Sequence, residues 1–175
     1  MKKKVLIILG SDEKKKVLII LSWALVIAWM AVIFYFSSQT AAASTKSSHL
    51  ISDKVLNLAV KEMHNSSKEA TKTLLSQINS ITRKMAHLFE YCMLGFLLMN
   101  AAMLYDIKCN KRIKAALSIS VVYAISDEIH QFFSAGRGPR ITDVLIDSAG
   151  AAIGICIFLL VAKKVMPHIK KKRSL

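Results

Sequence analysis

The chain has 175 residues, 54% of them hydrophobic, with only two prolines and six glycines, which excludes a disordered or collagen-like chain and leaves room for one domain. The formal net charge is +14, yet the basic residues flank long apolar runs and do not form the face of a soluble domain, so membrane topology accounts for them and nucleic acid is not an expected partner. Cys92, Cys109 and Cys156 show no Cys-x-x-Cys spacing, which argues against a disulfide framework or thiolate metal site.

Residues 1–16 form a basic tail in which Lys2–Leu9 recurs as Lys14–Leu21. The first copy is too short to cross a bilayer and adds mainly charge. Val17–Phe36 is twenty residues without a charge, long enough to span about 30 Å of hydrocarbon. Ala41-Ala42-Ala43 resembles a signal cleavage site, but a signal core is only about 7 to 15 residues, so a retained helix is expected. Residues 37–84 form a long polar connection. Ser66 and Glu69 fit a capping box, and Ala70, Leu74, Ile78 and Ile81 follow at helical spacing, which predicts a helix along the membrane surface or an extension of the next span. Ile51, Val55 and Leu58 hint at further amphipathic turns.

Three more apolar runs follow, at residues 85–104, 115–133 and 141–162. The expected fold is all-α: a compact bundle of four transmembrane helices with helical segments in the first outer loop. Four spans put both ends on one side. Six lysines precede the first span, four basic residues lie within 105–114, and six follow from Lys163 onward, so both ends, including the basic tail 163–175, are expected in the cytoplasm.

The polar residues inside these runs are the informative ones. The uncharged stretch Ala115–Ser126 is twelve residues, about 18 Å of helix, too short for a core of about 30 Å. Asp127, Glu128 and His130 must then lie in or at the edge of the outer membrane layer. Glu90 sits seven residues past Arg83, and Asp147 seven past Arg140, at similar depth. Arg83, His87 and Glu90, with Tyr91 beside them, share one helix face; Asp127, His130 and Gln131 share another; Asp143, Asp147 and Gly150 share a third. Gly150 and Gly154 continue that stripe as G-x-x-x-G, which favours close helix approach within one chain or between two. Charges facing lipid cost about 2.5 to 3.5 kcal/mol each at the bilayer centre, so these faces are expected to meet in one polar pocket. Glu90, Asp127, Glu128, Asp143 and Asp147 stand against Arg83, Lys84, Arg137 and Arg140 with two histidines.

The same residues carry a family resemblance. Arg83-Lys84-Met85-Ala86-His87-Leu88-Phe89-Glu90-Tyr91 resembles the R-K-x-x-H-x-x-E-Y motif of VanZ-like proteins. Asp127-Glu128-Ile129-His130-Gln131-Phe132-Phe133 is similar to their D-E-x-H-Q-x-F. Gly136-Arg137 followed by Asp143, Asp147 and Gly150 resembles their G-R…D-x-x-x-D-x-x-G, and Ser37-Ser38-Gln39 is also similar. The match covers roughly residues 20–162. It implies a small bacterial multi-pass membrane protein. The family takes its name from a protein that raises resistance to the glycopeptide antibiotic teicoplanin.

Several readings stay open. The Arg and Lys groups suit an anionic lipid or lipid-linked cell-wall precursor, by charge and by bidentate geometry, with a glycopeptide as a further candidate partner. His87, Glu90, Asp127 and His130 are candidate acid–base groups for a membrane phosphoester hydrolase or transferase. No cofactor is required; Asp143 and Asp147 are the candidate ligands for a divalent cation. No nucleophile elbow, H-E-x-x-H or P-loop names a reaction. The cluster also suits a structural ion-pair network. Transport is disfavoured, because Asn100 is the only amide continuing inward along the second span.

Overall fold

The computed structural model describes residues 12–38, 68–134 and 141–172. The described elements are all helices: α1 (Asp12–Ser37), α2 (Lys68–Met103), α3 (Cys109–Ser134) and α4 (Ile141–Lys172). Apolar runs of this length bond their backbone groups internally when no water is available, and an unbroken helix does so. Asp12–Ser37, Ser76–Met103 and Ile141–Lys164 are long and apolar enough to cross a membrane. An all-helical membrane architecture is thus seen, with three helices meeting that standard where four spans were expected. α3 falls below it because Asp127, Glu128 and His130, with Ser118, Ser120 and Ser126, lower its average apolarity.

The boundaries differ from expectation chiefly at α2. That helix starts at Lys68, so the connection expected over 37–84 is helical from there on and continuous with the span. The apolar spacing of Leu74, Ile78 and Ile81 runs straight into the second apolar run, with no proline or glycine to break it. The proposed Ser66 cap and the turns around Ile51 to Leu58 lie outside the described residues.

Burial follows helical stripes. In α1 only Val26, Ile33 and Ser37 are buried, one face of the helix, and only 11% of its most apolar window is covered. The rest of the helix presents Leu18, Ile20, Leu25, Ile27 and Phe34 outward, which suits lipid and not water. α3 buries Ala116, Ser120, Ala124, Asp127 and Gln131. Its opposite face exposes Ile119, Val122, Ile125, Ile129 and Phe132. It is therefore small and polar inside, apolar outside.

α2 and α4 form the tightest pair. Gly150 lies against the Leu88 backbone, Gly154 against Cys92 and Gly95 against Ala151; a Cβ on any of them would collide with main-chain atoms that cannot yield. Phe96 and Phe158 continue the contact edge to face, with ring centroids 5.2 Å apart. The register advances in step along both helices, so they run the same way. G-x-x-x-G packing is thus made within one chain.

α1 and α3 also run in the same direction, opposite to α2 and α4. Tyr123 Oη donates to the Met30 carbonyl (2.6 Å) and Gln131 Nε2 to Ser37 Oγ (2.9 Å). Trp23 Nε1 donates to Tyr105 Oη just past the end of α2 (2.9 Å), and Trp29 Nε1 to the Glu90 carbonyl (2.9 Å). A short turn joins α2 to α3, closed by Arg112 donating to the Tyr105 carbonyl at 2.7 Å. The first residues of α1 and the last of α4 therefore lie at the same end of the bundle. The three cysteines are free thiols, Cys92 half-buried and Cys109 and Cys156 exposed.

Candidate functional site

At the other end of the bundle the four buried stripes turn polar together. Ser37 closes the α1 stripe, Asp127 and Gln131 close that of α3, Asp147 opens that of α4, and all four are buried. α2 contributes His87, one turn before its apolar core begins at Tyr91 and Leu94, and Glu90, directly before Tyr91. Each helix places these groups inward for one reason: its lipid-facing side is already apolar, and a charged side chain facing hydrocarbon would be costly.

The centre of the cluster is His87, Asp127 and Asp147. Asp127 and Asp147 are each 3% exposed. His87 Nδ1 lies 3.7 Å from Asp147 Oδ1. One ligand-capable atom from each of the three residues can be chosen so that all lie within 4.8 Å of one another. Gln131 Nε2 donates to Asp127 Oδ2 at 3.1 Å as well as to Ser37 Oγ, which ties the ends of α1 and α3 together. Asp127 Oδ1, Asp147 Oδ1 and Tyr91 Oη are buried and make no hydrogen bond.

Around this centre the residues expected from the sequence divide into three groups. Glu90 and Glu128 stand near enough to couple electrostatically with the central aspartates, Glu90 with both and Glu128 with Asp147. Tyr91 is fully buried and faces the same carboxylates, its ring 6.2 Å from that of Tyr123. His130 couples to Asp127; its Nε2 is 3.1 Å from Ser38 Oγ and its ring centroid 4.3 Å from that of Phe34. Asp143 is half-buried one turn above Asp147, couples to it, and accepts a hydrogen bond from Thr142 Oγ1 (3.3 Å). Arg83 and Lys84 are half-buried and make no ion pair among the described residues. Arg137 and Arg140 lie outside the described residues.

Separate segments thus bring His87, Glu90, Asp127, Asp147 and Gln131 into one place. Among the described residues the centre itself is acidic, with Asp127 and Asp147 beside one histidine. The groups that could hold a cation are His87, Asp127 and Asp147, so Asp147 is joined to a histidine on α2 and an aspartate on α3 as well as standing near Asp143. Sequence reasoning did not single out Ser37 and Ser38 as site residues, nor Phe34 and Tyr123. The serines had one signal, their place in the motif-like Ser-Ser-Gln after the first apolar run; Phe34 and Tyr123 had none, since an aromatic in an apolar run reads as lipid-facing.

An apolar-lined crevice of about 310 Å³ runs between α1 and α3, bounded by Met30, Ile119, Val122, Tyr123 and Ser126 among others. Ser126 Oγ is turned back onto the Tyr123 carbonyl (2.7 Å). Ser126 in its lining is exposed, whereas the next residue, Asp127, is turned into the bundle.

A family model described as VanZ/LLP1 matches residues 22–162. No curated protein and no solved structure matches the chain.

Proposed function

The chain belongs to the VanZ/LLP1 family, and from that premise we propose that it is a four-span protein of the cell membrane whose polar end binds the headgroup of an anionic, lipid-linked envelope molecule. The reading of α3 as the fourth span rests on its faces and not its average: from Ala115 to Phe132 the exposed side carries Ile119, Val122, Ile125, Ile129 and Phe132 with two serines, and Asp127 and Gln131 are turned inward. Four spans, with the lysine-rich residues at the opposite end, put the polar cluster at the outer leaflet and both termini in the cytoplasm.

The observation that carries the headgroup reading is the convergence of polar groups from four helices at one end of the bundle, buried on α1, α3 and α4 and half-buried on α2. Arg83 and Lys84, with Arg137 and Arg140 from the residues between α3 and α4 in the sequence, supply charge for a phosphate or carboxylate. Glu90, Asp127 and Asp147 suit hydroxyl or amine donors of a sugar or peptide headgroup. The crevice suits the first part of the lipid's hydrocarbon chain. Tyr91, Glu128, His130, Gln131 and Asp143 complete the wall. A glycopeptide bound to such a precursor is the family-based route to altered teicoplanin susceptibility.

The test is native mass spectrometry of the protein equilibrated with a total lipid extract. The wild type is expected to retain one anionic lipid-linked species, with retention falling about tenfold in Arg137→Ala and Arg83→Ala. Equal retention of neutral and anionic lipids by all three proteins removes the proposal.

One observation favours a second reading. His87 between two buried aspartates has the parts of a phosphoester hydrolase or transferase, with His87 or His130 moving the proton and Glu90 or Asp127 orienting the ring. Release of phosphate or a transferred headgroup from the retained lipid separates this from binding alone. A purely structural role for the network predicts that Arg137→Lys and His130→Gln leave binding and susceptibility unchanged.

A further inference from the structure

We propose that His87, Asp127 and Asp147 form a binding site for one divalent transition-metal cation, Mn²⁺ or Zn²⁺. The inference goes beyond the headgroup reading and does not depend on it.

Three observations on the cluster lead there. The first is geometry. The three residues come from α2, α3 and α4, and each offers a donor atom within 4.8 Å of the others. Two donors around a tetrahedral ion at about 2.1 Å stand about 3.4 Å apart. The His87 Nδ1–Asp147 Oδ1 separation of 3.7 Å is close to that, and it is longer than a hydrogen bond between the two would be.

The second observation is unmet bonding capacity. Asp127 and Asp147 are each 3% exposed, and each has an Oδ1 without a hydrogen bond. Buried carboxylate oxygens are almost always paired, because leaving one unpaired forfeits its solvation. Gln131 donates to Asp127 Oδ2, and Oδ1 makes no hydrogen bond.

The third is charge. Two buried aspartates lie in electrostatic range of Glu90, and Asp147 also of Glu128 and Asp143. Among the described residues, His87 is coupled to both aspartates and His130 to Asp127. Arg83 and Lys84 make no ion pair among the described residues. A dication bound by both aspartates neutralises the pair in one step.

The donor set then narrows the ion. Calcium and magnesium favour oxygen-only shells, whereas one imidazole with two carboxylates suits Mn²⁺ or Zn²⁺. Three protein ligands leave at least one coordination position open, as at metal sites that hold a substrate oxygen.

The test uses the full-length protein in detergent, stripped with a chelator and titrated with Mn²⁺ alone, with no lipid present. Electron paramagnetic resonance counts the Mn²⁺ withdrawn from solution, and electron spin-echo modulation detects a directly bonded imidazole nitrogen. The expected result is one Mn²⁺ per chain, displaced by Zn²⁺, with nitrogen modulation present. Asp127→Asn and Asp147→Asn should each weaken binding about 100-fold, and His87→Gln should abolish the nitrogen signal. Cys156→Ser, on an exposed position of α4, should bind as the wild type does. Absence of saturable binding by the wild type, or binding without nitrogen modulation, overturns the proposal even if the aspartate variants fail to fold. Lipid retention measured separately then stands or falls on its own.

Discussion

Gln131 ties two helix ends together through a single side-chain amide. Its amide nitrogen donates to Ser37 Oγ and Asp127 Oδ2, and it is buried. Gln131→Leu roughly keeps the volume and removes both bonds, leaving Asp127 its contact with Ser37 but not the amide donor. A buried group stripped of its partner costs about 1–3 kcal/mol, so thermal unfolding in detergent, followed by tryptophan fluorescence, should shift down by several degrees. Tyr123→Phe is the milder counterpart. It removes only the 2.6 Å bond to the Met30 carbonyl, which keeps its place in the α1 ladder, so the expected loss is about 0.5–1.5 kcal/mol. A larger loss for Tyr123→Phe than for Gln131→Leu would contradict this ranking. These two residues also mark how far the sequence could be read. Gln131, Glu90, Asp127 and Asp147 were legible because a polar group in an apolar run is costly and needs a reason. Tyr123 and Ser37 were not, because the first looks like lipid-facing aromatic and the second like the start of a polar loop. Only a tertiary contact separates those roles.

At the scale of the helix, α2 and α4 show what glycine does at a close approach. Gly→Ala in an exposed helix stabilises by about 0.5–1 kcal/mol. At Gly154 the sign should reverse, because the added methyl meets the Cys92 carbonyl and the Phe96 amide nitrogen, both main-chain atoms. Separating the helices to admit it costs roughly 1–3 kcal/mol and would also loosen the His87–Asp147 pair. The expected outcome for Gly154→Ala is a lower melting temperature, and for Gly154→Leu a loss of the monodisperse species in gel filtration. A neutral or stabilising Gly154→Ala would mean the two helices are not held this close. The G-x-x-x-G spacing pointed to Gly150 and Gly154, but Gly95 on the partner helix escaped notice, since one glycine in an apolar run has no spacing to read. α3 is the opposite case. Its polar residues made the run look short, and the structure explains it by separating the faces, with Asp127 and Gln131 inward and Val122, Ile129 and Phe132 outward. Composition averaged along a helix cannot make that separation; the position of each residue around the axis can.

For the whole molecule, the decisive question is how many times the chain crosses. With α3 as a span, the bundle crosses four times and the basic residues at 108–114 and 163–164 share the inner side. With α3 lying outside the hydrocarbon, α1, α2 and α4 would cross three times, α4 would have to run against α2 instead of alongside it, and the two ends would fall on opposite sides. Native thiols offer a direct readout, because Cys109 is exposed at the first residue of α3. In a background with Cys92 and Cys156 replaced by alanine, Cys109 should react with a membrane-impermeant maleimide only after the membrane is permeabilised. Ser76→Cys, exposed on α2 beyond the polar cluster, should react in intact cells when Cys109 is also replaced. The position that tells the two arrangements apart is Lys164, exposed near the far end of α4. Lys164→Cys, again without Cys109, should stay protected in intact cells if there are four crossings, and should be labelled from outside if there are three. Protection at Lys164 together with labelling at Ser76 places the buried aspartates at the outer leaflet, where an envelope lipid can reach them. Labelling at both would leave α3 off the list of spans and turn the headgroup proposal out with it.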